Sequence, residues 1–469
     1  INPSSTGTIT LDTSDLTVSG TLTVSDTDTL SIASGRTLTH TGAVLTLSGA
    51  TGGTISGDGT LRFTNASGGH GTDGTISSVV RYDATDGNIS SSTIDARTYN
   101  NEVRIYSNSN SARTVTLAGG TYTLTGGTSH LIVDTDAGGT LSLTGETNSP
   151  EVTIGGDLDL YWSPPGSPSI TSGSGTWTVS GNVDFTNGTY TATSGNTLKM
   201  NGTSKSITSA STALQNFEVS GGSISNADIM DVDGTFTVSA GAFAHTTGNM
   251  TVAGDFTLAS GSTFTQPGTC DPACDYTLTF DGDLSYADNT SPQQSIGDVI
   301  IGTSPDTTIL TTDFTSNSLT VTSADYFYTC QYEVDIGNGG VEISGTFDTS
   351  ATGGGSCSGS DTDETTVYTA EDFNINSGAT FVQDQSTIEF DDPSGTNTLI
   401  TDGSYSLYNL TVNGGTGTTI QVQDPLDVDN DVTITQGNLD TVSGESNAIS
   451  VGGSWDNNYD FTANSGTVT

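Results

Sequence analysis

The spacing of its apolar residues limits what this chain can fold into more than any other feature. From residue 8 onward they come as pairs two positions apart: Ile9/Leu11, Leu16/Val18, Leu22/Val24, Leu30/Ile32, Leu45/Leu47 and Leu61/Phe63. Alternation over three to five residues, bounded by Gly, Ser or Asp, specifies a short strand with one buried face. The residues between are mostly Thr and Ser, which suit the outer face of a strand without supplying charge. The pair centres lie about seven residues apart, too close for strand–helix–strand units. That rhythm fits three short strands per turn of ~20–25 residues, as in a parallel β-solenoid.

A second pattern joins successive pairs through a glycine: apolar, any, apolar, any, Gly, any, apolar, any, apolar. It occurs at 16–24 with Gly20, 152–160 with Gly156, 177–185 with Gly181, 230–238 with Gly234 and 250–258 with Gly254. Weaker copies hold Gly345 and Gly453. The glycine keeps the inward parity of the pairs on both sides. That marks a corner, where a residue without Cβ avoids crowding and can take positive φ.

Composition takes its meaning from this pattern. Thr (87), Ser (60) and Gly (60) dominate the 469 residues, and apolar residues make up only 31%. An ordinary globular domain carries ~45–50%, so composition alone sits close to disorder. Disorder would not preserve inward parity across a corner; a slender core repeated turn by turn would. Helix formers are too scarce for a helical bundle.

Charge excludes further classes. Eight Lys and Arg stand against 53 Asp and Glu, for a net charge of −45, and none of the eight lies beyond Lys205. Such a polyanion has no cationic surface for nucleic-acid phosphates or anionic lipid. No apolar run approaches the ~20 residues of a membrane span, and no signal peptide is evident. A start at Ile1 is expected of a mature product or a fragment.

A longer unit repeats over residues 179–469. The phrase at 179–202 (VSGNVDFTNGTYTATSGNTLKMNG) returns at 252–268 (VAGDFTLASGSTFTQPG) with 277–282 (TLTFDG), at 370–391 (AEDFNINSGATFVQDQSTIEFD) and at 451–469. These phrases resemble the Gly/Thr/Ser-rich repeats of large bacterial and archaeal cell-surface proteins. They also resemble the right-handed β-helices of filamentous-haemagglutinin-like and autotransporter adhesins. The resemblance implies an all-β, parallel, right-handed β-helix. It also implies export, extracellular display, and a role as stalk, filament, lattice or adhesive surface. It brings no catalytic motif.

The expected organisation is a regular solenoid at 1–76 and a solenoid over 77–160 with an irregular insertion at 77–113. A Pro/Ser/Gly-rich boundary loop follows at 161–176, then a superrepeat solenoid at 177–469 with insertions near 266–276 and 346–366 that ends in mid-repeat. At roughly 22 residues per turn, about 21 turns are expected.

Four cysteines allow three pairings. Cys270 and Cys274 close a five-residue loop, while Cys330 and Cys357 are 27 apart, about one turn plus a small loop. The expected disulfides are therefore 270–274 and 330–357, in an oxidising, extracytoplasmic setting. Zinc is the competing arrangement, opposed by the long gap, the lack of a nearby His and the many rival carboxylates. Asp427, Asp429 and Asp431 resemble an acidic calcium loop, without the glycine and distal glutamate of an EF-hand. They are the one candidate metal site, against an ordinary acidic strand edge. No other cofactor is expected.

Enzymes exist on β-helices, but a lyase needs a basic residue beside an acidic cluster, and the repeat region offers only Lys199 and Lys205. Carboxylate pairs such as Asp391/Asp392 and Asp281/Asp283 carry little information among 53 acids. His40, His70, His130 and His245 are isolated, and the seven Asn-x-Ser/Thr sequons are near the number chance supplies. No catalytic residue is assigned.

The expectation is a non-enzymatic extracellular structural protein: a self-assembling subunit of a filament, sheath or lattice, or an adhesin stalk. Self-association into a homopolymer and contact with surface glycans or a host surface are the expected partnerships. Nucleic-acid binding and membrane insertion are not expected. The alternative is a carbohydrate-active or carbohydrate-binding β-helix.

Overall fold

The computed structural model describes residues 7–469 apart from 43, 49–51, 65–73, 85–90, 163–165, 267–275, 303–304, 356, 358–363 and 446. Thr8–Leu11, Leu16–Val18 and Leu22–Val24 form one turn. Thr29–Ile32, Thr37–His40 and Leu45–Leu47 lie on them in parallel as the next. Leu22 pairs with Leu45 and Val24 with Leu47, and all four are buried. The period-2 pairs thus point into the coil, each covered by its counterpart one turn on. Ile9 and Leu16 in the first turn are 44% and 41% exposed, whereas their register partners Leu30 and Leu38 are 2% and 0%. Burial of these positions depends on the neighbouring turns.

All ladders between described strands are parallel, strand makes up 54% of the chain, and the only helical element among the described residues is one 3-10 turn at Gly353–Gly355. The β-solenoid has about 19 turns, fewer than expected because several turns carry loops longer than the minimum. The chain divides into two compact units, Ile1–Asp231 and Val232–Thr469. The core of the first is mainly aliphatic, with Trp177 and Tyr190 fully enclosed. In the second, Phe236, Phe256, Tyr286, Phe314, Phe327 and Phe347 form a buried aromatic ladder with ring centroids 5.0–5.8 Å apart. Offset and edge-to-face contacts at this spacing are favourable beyond area burial.

Two expected interruptions contain strands in register with the neighbouring turns. Within 77–113, Val79–Asp83 lies between Thr60–Phe63 and Val103–Ser107, and Thr98–Tyr99 lies between Thr75–Ile76 and Thr121–Leu124. The rhythm was hidden because Tyr82 and Tyr99 take inward positions, their buried hydroxyls 2.9 Å apart. In 161–176, Ser167–Thr171 is a strand containing a buried Pro168 paired with Leu141. Pro168 is tolerated because pairing with the following turn starts only at Ser169 opposite Thr189, so its missing N–H removes no ladder bond there. The excursion expected at 346–366 begins later, since Thr346–Asp348 is a strand stacked on Tyr326–Tyr328. It ends at the strand Thr366–Thr369.

The corner glycines act through close approach. The Gly181 amide donates to the Gly156 carbonyl at 2.9 Å, and the Gly156 amide to that of Ser129 at 3.2 Å. A Cβ on Gly181 would overlap the Gly156 carbonyl group. Gly20, Gly156, Gly181, Gly254, Gly345 and Gly453 are not among the glycines with positive φ, so of the two expected advantages it is the missing Cβ that the corner uses. Gly181→Ala should therefore cost about 1–3 kcal/mol of stability through overpacking. Gly20→Ala, with nothing within 4 Å of the new methyl group, should stay within about 0.5 kcal/mol. Urea unfolding of the two variants side by side checks this, and equal effects would refute the stacking account.

Candidate functional site

Cys330 and Cys357 form a disulfide with Cα atoms 5.5 Å apart. Cys330 lies at the corner after Tyr326–Tyr328, and Cys357 belongs to the excursion that leaves the coil after Thr346–Asp348. The root of that excursion is also held by hydroxyls. Those of Thr329 and Thr365 are 2.9 Å apart, and Thr365 donates to the Thr349 carbonyl at 3.2 Å. The other expected pair, Cys270 and Cys274, lies outside the described residues.

Two of the three aspartates proposed for calcium are engaged by different turns. Asp427 is exposed on the outward face of Leu426–Val428. The Asp429 carboxylate accepts from Gln383 Nε2 and the Ser406 hydroxyl on earlier turns. Asp431 Oδ1 accepts the Ser454 amide one turn later at 2.7 Å. Among the described residues no group of three or more His, Cys, Asp or Glu is gathered so as to hold a metal ion.

Asp431 instead exemplifies a device that runs through both units. Asp157 accepts the amide of Asn182 at 2.7 Å, and Asn182 in turn accepts that of Ser206 at 3.1 Å. Asp255, Asp283, Asp313 and Asp372 take the amides of Ser285, Thr307, Glu333 and Thr398 in the same way, at 2.6–3.1 Å. Each of these Asp or Asn residues comes just before the first inward apolar residue of a strand, as Asp255 before Phe256 and Asp372 before Phe373. At a corner the ladder is interrupted, and a backbone N–H there needs an acceptor. An Asx side chain reaching across one turn supplies it. The signal was present in the repeated phrases GNVDF, AGDFT and AEDFN, and Asp431, one of the three expected calcium ligands, holds the same place before Val432.

His245, Trp177 and Trp455 are structural as well, while His70 lies outside the described residues. Buried His245 contacts the Gly248 carbonyl at 2.6 Å and Gln266 Nε2 at 2.9 Å, and desolvation lowers its pKa. Trp177 is buried and donates to the Ser172 carbonyl at 3.2 Å. Trp455 packs edge-on against Phe461.

The most distinctive outward surface of the first unit is a row of arginines. Arg62 pairs in register with Arg81, and Arg81 with Arg104, so three of the eight basic residues stand on successive turns of one sheet. Arg62 and Arg81 both donate to the same oxygen, Oδ2 of fully buried Asp83. Arg81 also lies 3.6 Å from the centre of the Tyr106 ring. Arg104 pairs with Glu102 at 3.0 Å and with Asp134 at 2.8 Å. The three side chains remain 32–34% exposed and line an open groove of about 510 Å³ with Asp15, Thr39 and Glu102. Two turns beyond Arg104 on the same sheet, half-buried Asp159 lies in register with Asp184. Desolvation first, then Asp184 and Asp157, push its pKa up to about 6.

Comparison with family models, with curated proteins and with solved structures gives no match to this chain.

Two outcomes follow from this geometry. Asp372→Ala should lower stability by about 1 kcal/mol through loss of the corner bond, while Asp372→Asn, which keeps an acceptor, should preserve it; thermal unfolding distinguishes them. Asp159 has a folded pKa above its unfolded value of ~3.9. Its contribution to stability is therefore complete below pH ~4 and is lost as pH rises through about 6. Asp159→Asn should raise the melting temperature at pH 8 and leave it unchanged at pH 4. The same shift at both pH values would contradict the assignment.

Proposed function

We propose that this chain is an extracellular structural protein, a β-solenoid subunit that self-assembles into a surface filament, sheath or lattice or forms an adhesin stalk. The observation that carries this reading is the in-register repetition itself. Turn after turn spends its apolar residues on a thin core and turns Thr, Ser and Asp outward. Stability of such a stack comes from nearest-neighbour terms, so length can be added without a larger core. The Cys330–Cys357 disulfide supports an oxidising compartment. The absence of Lys and Arg after Lys205 leaves trypsin-like proteases no cleavage site there, which suits a durable exposed protein.

Electron microscopy of the purified chain at physiological salt with calcium present should reveal filaments, sheets or ordered bundles. Native Cys330 and Cys357 should resist alkylation until a reductant is added. A monodisperse monomer under these conditions would sink the assembly reading, and ready alkylation of both thiols would sink the extracellular one.

A further inference from the structure

The ladder that opens with Thr8–Leu11 carries a second outward pattern in the first unit, built of threonine. Thr8, Thr29, Thr54 and Thr75 pair in that order on successive turns. Ile76 pairs with Tyr99, which sets Thr98 beside Thr75, and the column continues through Thr123 and Thr153 to Thr178. Eight turns thus place a threonine at one outward position, each exposed or half-buried. Two residues further along each strand, a parallel column begins with Thr10, Ser31 and Ser56. It runs on through Ser77, Asn100 and Thr125, where Asn100 donates to the Ser77 hydroxyl at 3.2 Å and accepts from Thr125, and ends at Gly155 and Ser180. Neither column holds a charge over these eight turns. The first is Lys199, which pairs in register with Thr178 and is matched by Glu218 at 3.0 Å. Glu151 lies outside both columns and accepts the Thr176 amide at 3.1 Å.

Composition and folding do not account for this face. Thr supplies 87 of 469 residues, too few to fill eight successive places by chance. The ladder through Thr37–His40, in the same turns, carries Arg62, Arg81, Arg104, Asp159 and Asp184 in its outward column and folds equally well. What distinguishes the threonine face is a neutral array with two fixed spacings. The ladder sets equivalent side chains ~4.8 Å apart from turn to turn and ~6.7 Å apart along each strand. Threonine is stiff at χ1, so its methyl and hydroxyl groups are held in place before anything binds. Each hydroxyl both donates and accepts a hydrogen bond, as a water molecule does. The two spacings are close to the oxygen repeats on the prism face of hexagonal ice.

We propose that the threonine face of the first unit binds ice. The occupant is a crystal surface, because only a solid repeats in two directions over the seven steps of ~4.8 Å from the first turn of the column to the last. Water held by the hydroxyls between the methyl groups takes up lattice positions, and the face then joins the crystal as part of its surface. Charge would work against this, since a carboxylate orders water around itself and not in the lattice. The column is free of charge in a chain with a net charge of −45. Ice binding needs no second copy, so this inference stands apart from the self-assembly reading above.

The test grows ice slowly from a dilute solution of the full chain and measures protein in the ice and in the remaining liquid. A single ice crystal in the same solution, held just below its melting point, is watched by microscopy. The wild-type chain should enter the ice and facet the crystal, whereas an ordinary solute is left in the liquid. Thr54→Lys/Thr98→Lys, two outward changes within the column, should abolish both effects with an unchanged melting profile. Thr17→Lys adds the same kind of charge at an exposed position of the neighbouring ladder and should leave both effects intact. A wild-type chain excluded from ice would overturn the proposal without reference to any variant. So would full incorporation of the double variant, or an equal loss in Thr17→Lys. Exclusion from ice together with self-association that the double variant loses would assign the face to a second copy instead. Exclusion together with retention on crystalline cellulose, lost in the same variant, would assign it to a polysaccharide surface.

Discussion

The structure depends on one interaction: the parallel stacking of each inward side chain on its counterpart one turn away. Leu22 on Leu45 and Phe236 on Phe256 are the same event in the two units. A coil this thin has no centre remote from solvent, so no turn buries itself alone, and register is the condition for any core at all. A slip by one residue would turn every apolar side chain outward and bring Thr and Ser in. Low apolar content is compatible with folding here because the core is a line of side chains.

Corners are where the backbone ladder fails, and both of the chain's unusual compositional features act there. Glycine lets Gly181 lie directly on Gly156, with their amide and carbonyl groups paired. Aspartate and asparagine accept the amides that no neighbouring strand reaches, as Asp157 and Asn182 do in succession. Part of the acidity that looked like a surface property is therefore internal bonding along the stack. The same commitment is visible in two of the aspartates proposed for calcium, whose carboxylates are engaged on different turns: Asp429 with Gln383 and Asp431 with the Ser454 amide.

The few cations follow a different logic. Arg62, Arg81 and Arg104 are 19 and 23 residues apart in sequence and look unrelated, and the first lies in a block that reads as regular while the others lie in one that reads as broken. Only the coil makes them neighbours. Asp83, which holds two of them, is fully buried although it shares the parity of outward Arg81, and no periodicity argument identifies such a residue. Cys330 and Cys357 were easier to pair, because a spacing of one turn plus a loop is visible once the turn length is known.

What the sequence determined by itself was the repeating unit: strand length, three strands per turn, inward parity, glycine at the corners and a reachable pair of cysteines. These follow from local periodicity and sterics, which act over a few residues. Tertiary structure decided everything set by which turn lies on which: the aromatic ladder of the second unit, the strand that accommodates Pro168, the amide acceptors at the corners and the alignment of three arginines. Loops of varying length between strands shift the count from turn to turn, so relations across turns become readable only when backbone hydrogen bonds have chosen the register.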